Sequence, residues 1–219
     1  MGLLDLFAGK KRWRYTQEET EALENYIENV LGPIKSVLHE IVSPDIHLDI
    51  AVIPPTETLP FVKLVTMGMG AREMTVPASL RGQDLERVEL VQFLPSNWNI
   101  ESKEEQCYWP IRNMKFLGRF PFEGKTWLSC GHTIATRQGE PFAPDTKLNG
   151  SILLNIMLGT DVMKVRLPSG KLINFHTIVP LYPEEMEFKL SHSTEELLQK
   201  FEKSQVSLIL DKDRKNSCI

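Results

Sequence analysis

Apolar residues recur at Leu23, Tyr26, Ile27, Val30 and Leu31, the three-and-four spacing of one helix face, and Thr16 with Glu19 supplies a capping box ahead of them. This predicts a helix from Thr16 to about residue 31. Gly32-Pro33 breaks it, and Ile34, Val37, Leu38 and Ile41 resume the helical period, with Pro33 as the first residue of a second helix. After Ser43-Pro44 the period drops to two. Ile46, Leu48, Ile50 and Val52 share one face while His47, Asp49 and Ala51 take the other, so a strand is expected up to Pro54-Pro55. Phe61 to Met67 and Val88 to Leu94 read as further strands, joined irregularly through Gly68, Gly70 and Pro77.

Pro110 is placed to open a central helix, with Ile111, Met114 and Leu117 facing inward and Pro121 ending it. Residues 121 to 150 show no period and read as a long loop. Val162 to Leu167 and Lys171 to Val179, joined by Pro168-Ser169-Gly170, read as a hairpin. Pro183 opens one late helix, and Ser193 with Glu196 marks a capping box ahead of Leu197, Leu198 and Phe201. Helices at both chain ends, one central helix and strands without regular alternation predict an α+β fold with a mainly antiparallel or mixed sheet. The expected organisation is a basic N-terminal tip over 1–15, one domain over 16–205 and a tail over 206–219, loose from residue 211.

The chain has 219 residues, 42% apolar and 25% charged, the proportions of a folded domain rather than a disordered segment or coiled coil. No apolar run approaches the roughly 18 residues of a membrane span. The net charge is −4, but Lys10, Lys11, Arg12 and Arg14 against Asp5 make the tip basic and the remainder more acidic. Leu3, Leu4, Leu6 and Phe7 in that tip would hold a membrane surface only weakly. An acidic body without interleaved cations and aromatics argues against nucleic acid as a partner. Cys107, Cys130 and Cys218 are odd in number and carry no CxxC spacing, so neither a disulfide framework nor a thiolate zinc site is encoded. With no secretory leader or lipid-anchor signal, a cytoplasmic location is expected.

The reactive residues form few constellations. His47 and Asp49 are two apart on a strand and so share a face, where they could ligate a metal or share a proton. His132 stands beside Ser129 and Cys130 in the long loop. A metal-dependent or Cys/His-type hydrolase would need His47, Asp49 and His132 to converge. No nucleophile elbow, metalloprotease helix or phosphate-binding glycine pattern accompanies them. Arg112, Lys115 and Arg119 line one helix face and read as a solvated stripe with ordinary ion pairs. Glu18, Glu21, Glu24 and Glu28 make the outer face of the first helix acidic, a field suited to a basic protein.

Several stretches together resemble the suppressor of fused domain family in its stand-alone bacterial form. They are His47-Leu48-Asp49-Ile50 running into Ile53-Pro54-Pro55-Thr56, Leu64-Val65-Thr66-Met67-Gly68-Met69-Gly70, and Met74-Thr75-Val76-Pro77. Further on come Glu89-Leu90, Leu94-Pro95, Trp98, Trp109-Pro110-Ile111-Arg112, Gly131-His132-Thr133-Ile134, and Pro180-Leu181-Tyr182-Pro183-Glu184-Glu185-Met186-Glu187. The match covers about residues 40 to 203.

The resemblance implies a protein-binding module with no catalytic residues and no obligatory cofactor or metal. Animal members hold Gli-type transcription factors between this domain and a second one, a mode that does not carry over to this chain. Bacterial members resemble immunity proteins of polymorphic toxin systems, so a basic toxin is the expected class of partner. The resemblance turns Gly68 and Gly70 into a strand end that needs glycine for positive φ or close approach. The candidate contacts are Glu21, Glu24 and Glu28 on the first helix, with His132, Thr133 and Asp145 in the 121–150 region.

Overall fold

The computed structural model describes residues 13–40 and 45–219. The expectations that fall on Leu3 to Arg12, on Ile41 and on Ser43-Pro44 lie outside the described residues. In chain order the elements are α1 (Gln17–Leu31), β1 (Ser36–Leu38), β2 (Asp49–Ile53), β3 (Val62–Met67), β4 (Val88–Leu94), α2 (Glu105–Glu123) and β5 (Thr133–Ala135). There follow β6 (Gly150–Asn155), a small hairpin of β7 (Met157–Leu158) and β8 (Asp161–Val162), then β9 (Lys164–Arg166), β10 (Leu172–Leu181), α3 (Pro183–Ser191) and α4 (Thr194–Lys203). The main sheet runs β1-β2-β3-β4-β10-β6-β5, with β9 also pairing β10. Only β10 with β4 is parallel, so the sheet is mixed and otherwise antiparallel, as the element pattern predicted.

Alternation along the strands sorts two cores. Ile50, Val52, Leu64, Leu90 and Ile178 meet Trp109, Met114 and Leu117 of α2 on one face. Ala51, Ile53, Val65, Phe93 and Phe175 meet Leu23, Ile27 and Leu31 of α1 on the other. Val179, Leu181 and Ile152 extend that second face beneath Leu197 and Phe201 of α4. Both faces are covered, which is why every residue of β4 is buried, the polar Glu89 and Gln92 included.

Glu89 is the charged exception within β4. Its carboxylate accepts from Tyr15 Oη (2.7 Å), Thr66 Oγ1 (2.6 Å) and the Gly68 and Gly70 amides (both 2.9 Å). Burial raises its pKa, and these four donors pull back against that rise. The carboxylate thereby fixes the turn that follows β3. Gly70 passes so close that a Cβ would meet Tyr15 Oη at 2.4 Å, and Gly68 has φ +130°, so the glycine roles expected from the resemblance are seen here.

The capping box at Thr16 is complete, and its Glu19 also reaches the turn between β9 and β10: Lys171 Nζ lies 2.6 Å and Ser169 Oγ 2.5 Å from Oε1. Burial would raise this carboxyl, but the bonds from Lys171, Ser169 and the Thr16 amide outweigh it and hold it at about 2. A depressed carboxylate stabilises the fold above its unfolded value and loses that contribution as pH falls toward its folded one. Glu19 is therefore expected to contribute about 3 kcal/mol at neutral pH, lost between about pH 4.5 and 2. Urea titrations of wild type and Glu19→Gln across that window check this, since the variant should flatten the pH dependence.

Four local expectations are corrected. Residues 34–38 do not resume a helix: β1 pairs with β2 through Val37 opposite Ala51, because so short a helix cannot support itself while a sheet edge was open to the β-branched pair Ile34 and Val37. Pro110 does not open α2 but lies in its second turn, where it forfeits one backbone bond, and Pro121 sits within the final turn. The 121–150 stretch contains β5, and β6 starts at Gly150. Residues 211–217 are not loose. Arg214 makes a bidentate pair with buried Glu185 at 2.6 and 2.5 Å, Ser217 donates to the same carboxylate, and Thr146 Oγ1 donates to the Lys212 carbonyl.

Candidate functional site

α1, doubly tied at its N-terminus, presents Glu21, Glu24 and Glu28 along its length on the side away from the core. Glu21 accepts from Gln17 Nε2 at 2.9 Å, and Glu28 accepts from the Ile34 amide at 3.0 Å across the Gly32-Pro33 turn. Neither bond neutralises charge. Other acids are matched to cations, as in Glu19 with Lys171, Glu73 with Arg87, Glu105 with Arg112 and Glu40 with Arg119. Among the described residues none of the three α1 glutamates joins an ion pair. A cleft of about 230 Å³ lies between Glu21, Glu24, Glu28 and Ile34, and a wider one of about 680 Å³ runs from Glu24 to Arg14.

His132 and Thr133 lie on the opposite sheet edge. Gly131, at φ +82°, turns the chain into β5, donates to the Leu153 carbonyl at 2.7 Å, and leaves the His132 carbonyl to accept from the Leu153 amide at 3.0 Å. The His132 ring stands edge-on to Trp127 with centroids 4.4 Å apart. Burial lowers its pKa, helped by the Lys189 charge. Thr133 belongs to the outermost strand, whose one partner in the sheet is β6. Asp145 is elsewhere: it pairs with Lys212 beside a cleft of about 440 Å³ that also touches Trp98 and Cys107.

His47 and Asp49 do meet, with Nε2 3.2 Å from Oδ2. Their third member is not His132 but His39, whose Nδ1 is 3.0 Å from the same oxygen. Spacing along the chain does not suggest His39, because the antiparallel register of β1 with β2, Leu38 opposite Ile50, is what sets it across from Asp49. Between β2 and β5 lie β3, β4, β10 and β6; five strand spacings of about 4.8 Å put His132 roughly 24 Å from Asp49. The hydrolase constellation is not assembled. No hydrogen bond joins Cys130 to His132, and among the described residues no group of three or more His, Cys, Asp or Glu side chains is placed to hold a metal ion. The stripe on α2 is committed internally: Arg112 to Glu105 and the Phe142 carbonyl, Arg119 to Glu40.

Sheet, helices and surface charge together describe a mixed α+β domain whose distinctive features are exposed faces rather than a pocket of converging reactive groups. The family model described as Suppressor of fused protein (SUFU) matches residues 44–215, and the chain belongs to that family. The fold is similar to that of Sufu in the crystal structure of the Sufu–Fu complex, with a TM-score of 0.63 at 15% identity over 93% of each chain. A suppressor of fused homologue from Neisseria gonorrhoeae gives a TM-score of 0.63 at 14% identity, covering 92% of this chain and 98% of that one. Drosophila Suppressor of Fused gives 0.57 at 16% identity over 91% of this chain, which spans 51% of that protein's. Among curated proteins no sequence matches significantly. No helix among the described residues is long and apolar enough to cross a membrane.

Proposed function

We propose that this chain is a non-catalytic, cytoplasmic protein-binding module that acts as an immunity protein, binding a basic toxin and covering the surface the toxin needs. The observation that carries the reading is the row of uncompensated glutamates on α1, Glu21, Glu24 and Glu28, mounted on a helix held rigid at both ends. Such a field attracts a cationic partner and raises its association rate, and salt weakens it over a Debye length of about 10 Å at 0.1 M. Family membership and the crystallised Sufu–Fu complex support protein binding as the mode of action. His132 and Thr133 at the β5 edge are a second candidate contact, and Asp145, paired with Lys212, is a separate third one.

Glu21→Lys, Glu24→Lys and Glu28→Lys combined are expected to slow association about tenfold or more at low salt while changing dissociation little. Stopped-flow or surface-bound kinetics against the partner checks this, with urea denaturation to verify that the exposed substitutions leave the fold intact. An unchanged association rate removes α1 from the interface.

A further inference from the structure

We propose that the cleft between α2 and the loop after β5 binds a zwitterionic α-amino acid with an apolar side chain. The cleft, of about 360 Å³, lies between Asn113 and Phe116 of α2 and Arg137, Glu140, Pro141 and Phe142 of the loop, a size within the range of small-molecule sites. Phe116, Pro141 and Phe142 give it an apolar wall. Phe142 is fixed there by stacking on buried Trp109, with ring centroids 4.7 Å apart and 6° between the planes. Arg137 and Glu140 supply one charge of each sign. They stand three residues apart on one turn, yet among the described residues neither joins an ion pair, with the other or with any third group. A cation and an anion that line one cleft without meeting complement a ligand that carries both charges.

The other polar groups divide the same way. Asn113 is 5% exposed and its Nδ2 donates to Ser151 Oγ at 3.1 Å, while among the described residues its Oδ1 accepts no hydrogen bond. A buried carbonyl left so needs a donor, and an ammonium offers three. Glu140 and Asn113 thus suit the ammonium of the ligand, and Arg137 suits its carboxylate. Arg112 also lines the cleft; its Nη2 is taken by Glu105 and the Phe142 carbonyl, and its other nitrogens are unengaged among the described residues. The loop that carries Arg137 and Glu140 is held in shape by its own bonds. Thr136 Oγ1 donates to the Glu140 carbonyl at 2.6 Å, the Gly139 amide to the Thr136 carbonyl at 3.3 Å, and Asn149 Nδ2 to the Gly139 carbonyl at 2.9 Å. Between them Gln138 sits at φ +62°, a left-handed conformation that a side chain rarely adopts and that clusters at binding sites. A wall fixed in this way lowers the ordering cost of binding.

Calorimetric titration of the full chain with L-phenylalanine, beside NMR of the Arg137 and Glu140 amides and the Asn113 side chain, reads the site. Saturable binding with a dissociation constant of about 1 mM or tighter is expected, with shifts at those groups. N-acetyl-L-phenylalanine lacks the ammonium and L-phenylalaninamide lacks the carboxylate, and each is expected to bind at least about fivefold more weakly. Glu140→Gln should weaken L-phenylalanine by a similar factor and leave the N-acetyl compound unchanged, while Arg137→Gln should weaken L-phenylalanine and leave the amide unchanged. No saturable binding up to about 10 mM, or binding that both variants leave intact, overturns the proposal. N-acetyl-L-phenylalanine bound as tightly as the free amino acid also overturns it, and assigns the cleft to the carboxyl end of a peptide. Both substituted side chains are exposed, so folding should survive; should it not, the three ligands compared on wild type decide. The test uses the chain alone, so its outcome is independent of the toxin-binding reading.

Discussion

Gly68→Ala is expected to prevent stable folding, or to cost at least about 4 kcal/mol in urea denaturation. At φ +130° the new Cβ would lie 1.8 Å from the His47 carbonyl oxygen and 2.9 Å from its carbon. Neither partner can retreat. The His47 amide is bonded to the Trp13 carbonyl at 2.9 Å, and the Gly68 amide donates to buried Glu89 at 2.9 Å, so any shift strips a donor from a carboxylate that water cannot reach. Gly82→Ala is the control: φ is +82°, but nothing lies within 4 Å of its Cβ, so the cost is expected near 1 kcal/mol from backbone strain alone. Two variants destabilised equally would contradict the account of this turn.

Arg214→Ala is expected to cost about 3–5 kcal/mol, because it strands a charged carboxylate in the protein interior. Glu185 is fully buried; it accepts both Arg214 nitrogens, the Ser217 amide and hydroxyl, and the Tyr182 amide. Burial would raise its pKa, but the Arg214 guanidinium and these amides more than reverse that and lower it. Arg214 also lies over the rings of Tyr182 and Phe201 and donates to the Pro180 carbonyl, so Lys should rescue little of the loss. Thermal denaturation gives the magnitude, and limited proteolysis should show cleavage after residue 210 in the variant but not in wild type. A tail equally resistant in both would mean that the pair does not hold it.

What the sequence disclosed was set by how local each signal is. The α1 capping box, the β4 run and the β9–β10 hairpin are written within a few neighbouring residues, and all three stand in the structure. β1 is not legible because eight residues spaced for a helix are equally suited to a strand once a partner edge exists. β6 is hard to read from sequence because Ile152-Leu153-Leu154 is a short apolar run without strand alternation, and its partners β10 and β5 lie elsewhere in the chain. The start of α2 is not legible because Glu104 caps it without a side-chain bond, which leaves Pro110 as the loudest local signal. Polar residues 211–217 read as loose for a similar reason: the carboxylate that binds them, Glu185, gives no sign in sequence of being buried.

The candidate site followed the same rule. The acidic face of α1 was legible because helical period alone places Glu21, Glu24 and Glu28 together. The meeting of His47 with Asp49 was legible from strand spacing. The distance from that pair to His132 was not, since it depends on sheet order, and neither was His39, which the pairing of β1 with β2 sets opposite Asp49.

Affinity capture from the native host with the tagged chain, run at low and moderate salt beside the Glu21→Lys, Glu24→Lys, Glu28→Lys variant, tests protein binding through the acidic helix most directly. The account predicts a stoichiometric basic protein on the wild-type beads at low salt, depleted at moderate salt and missing from the variant. Empty wild-type beads at both salts, or equal retention by the variant, would contradict it.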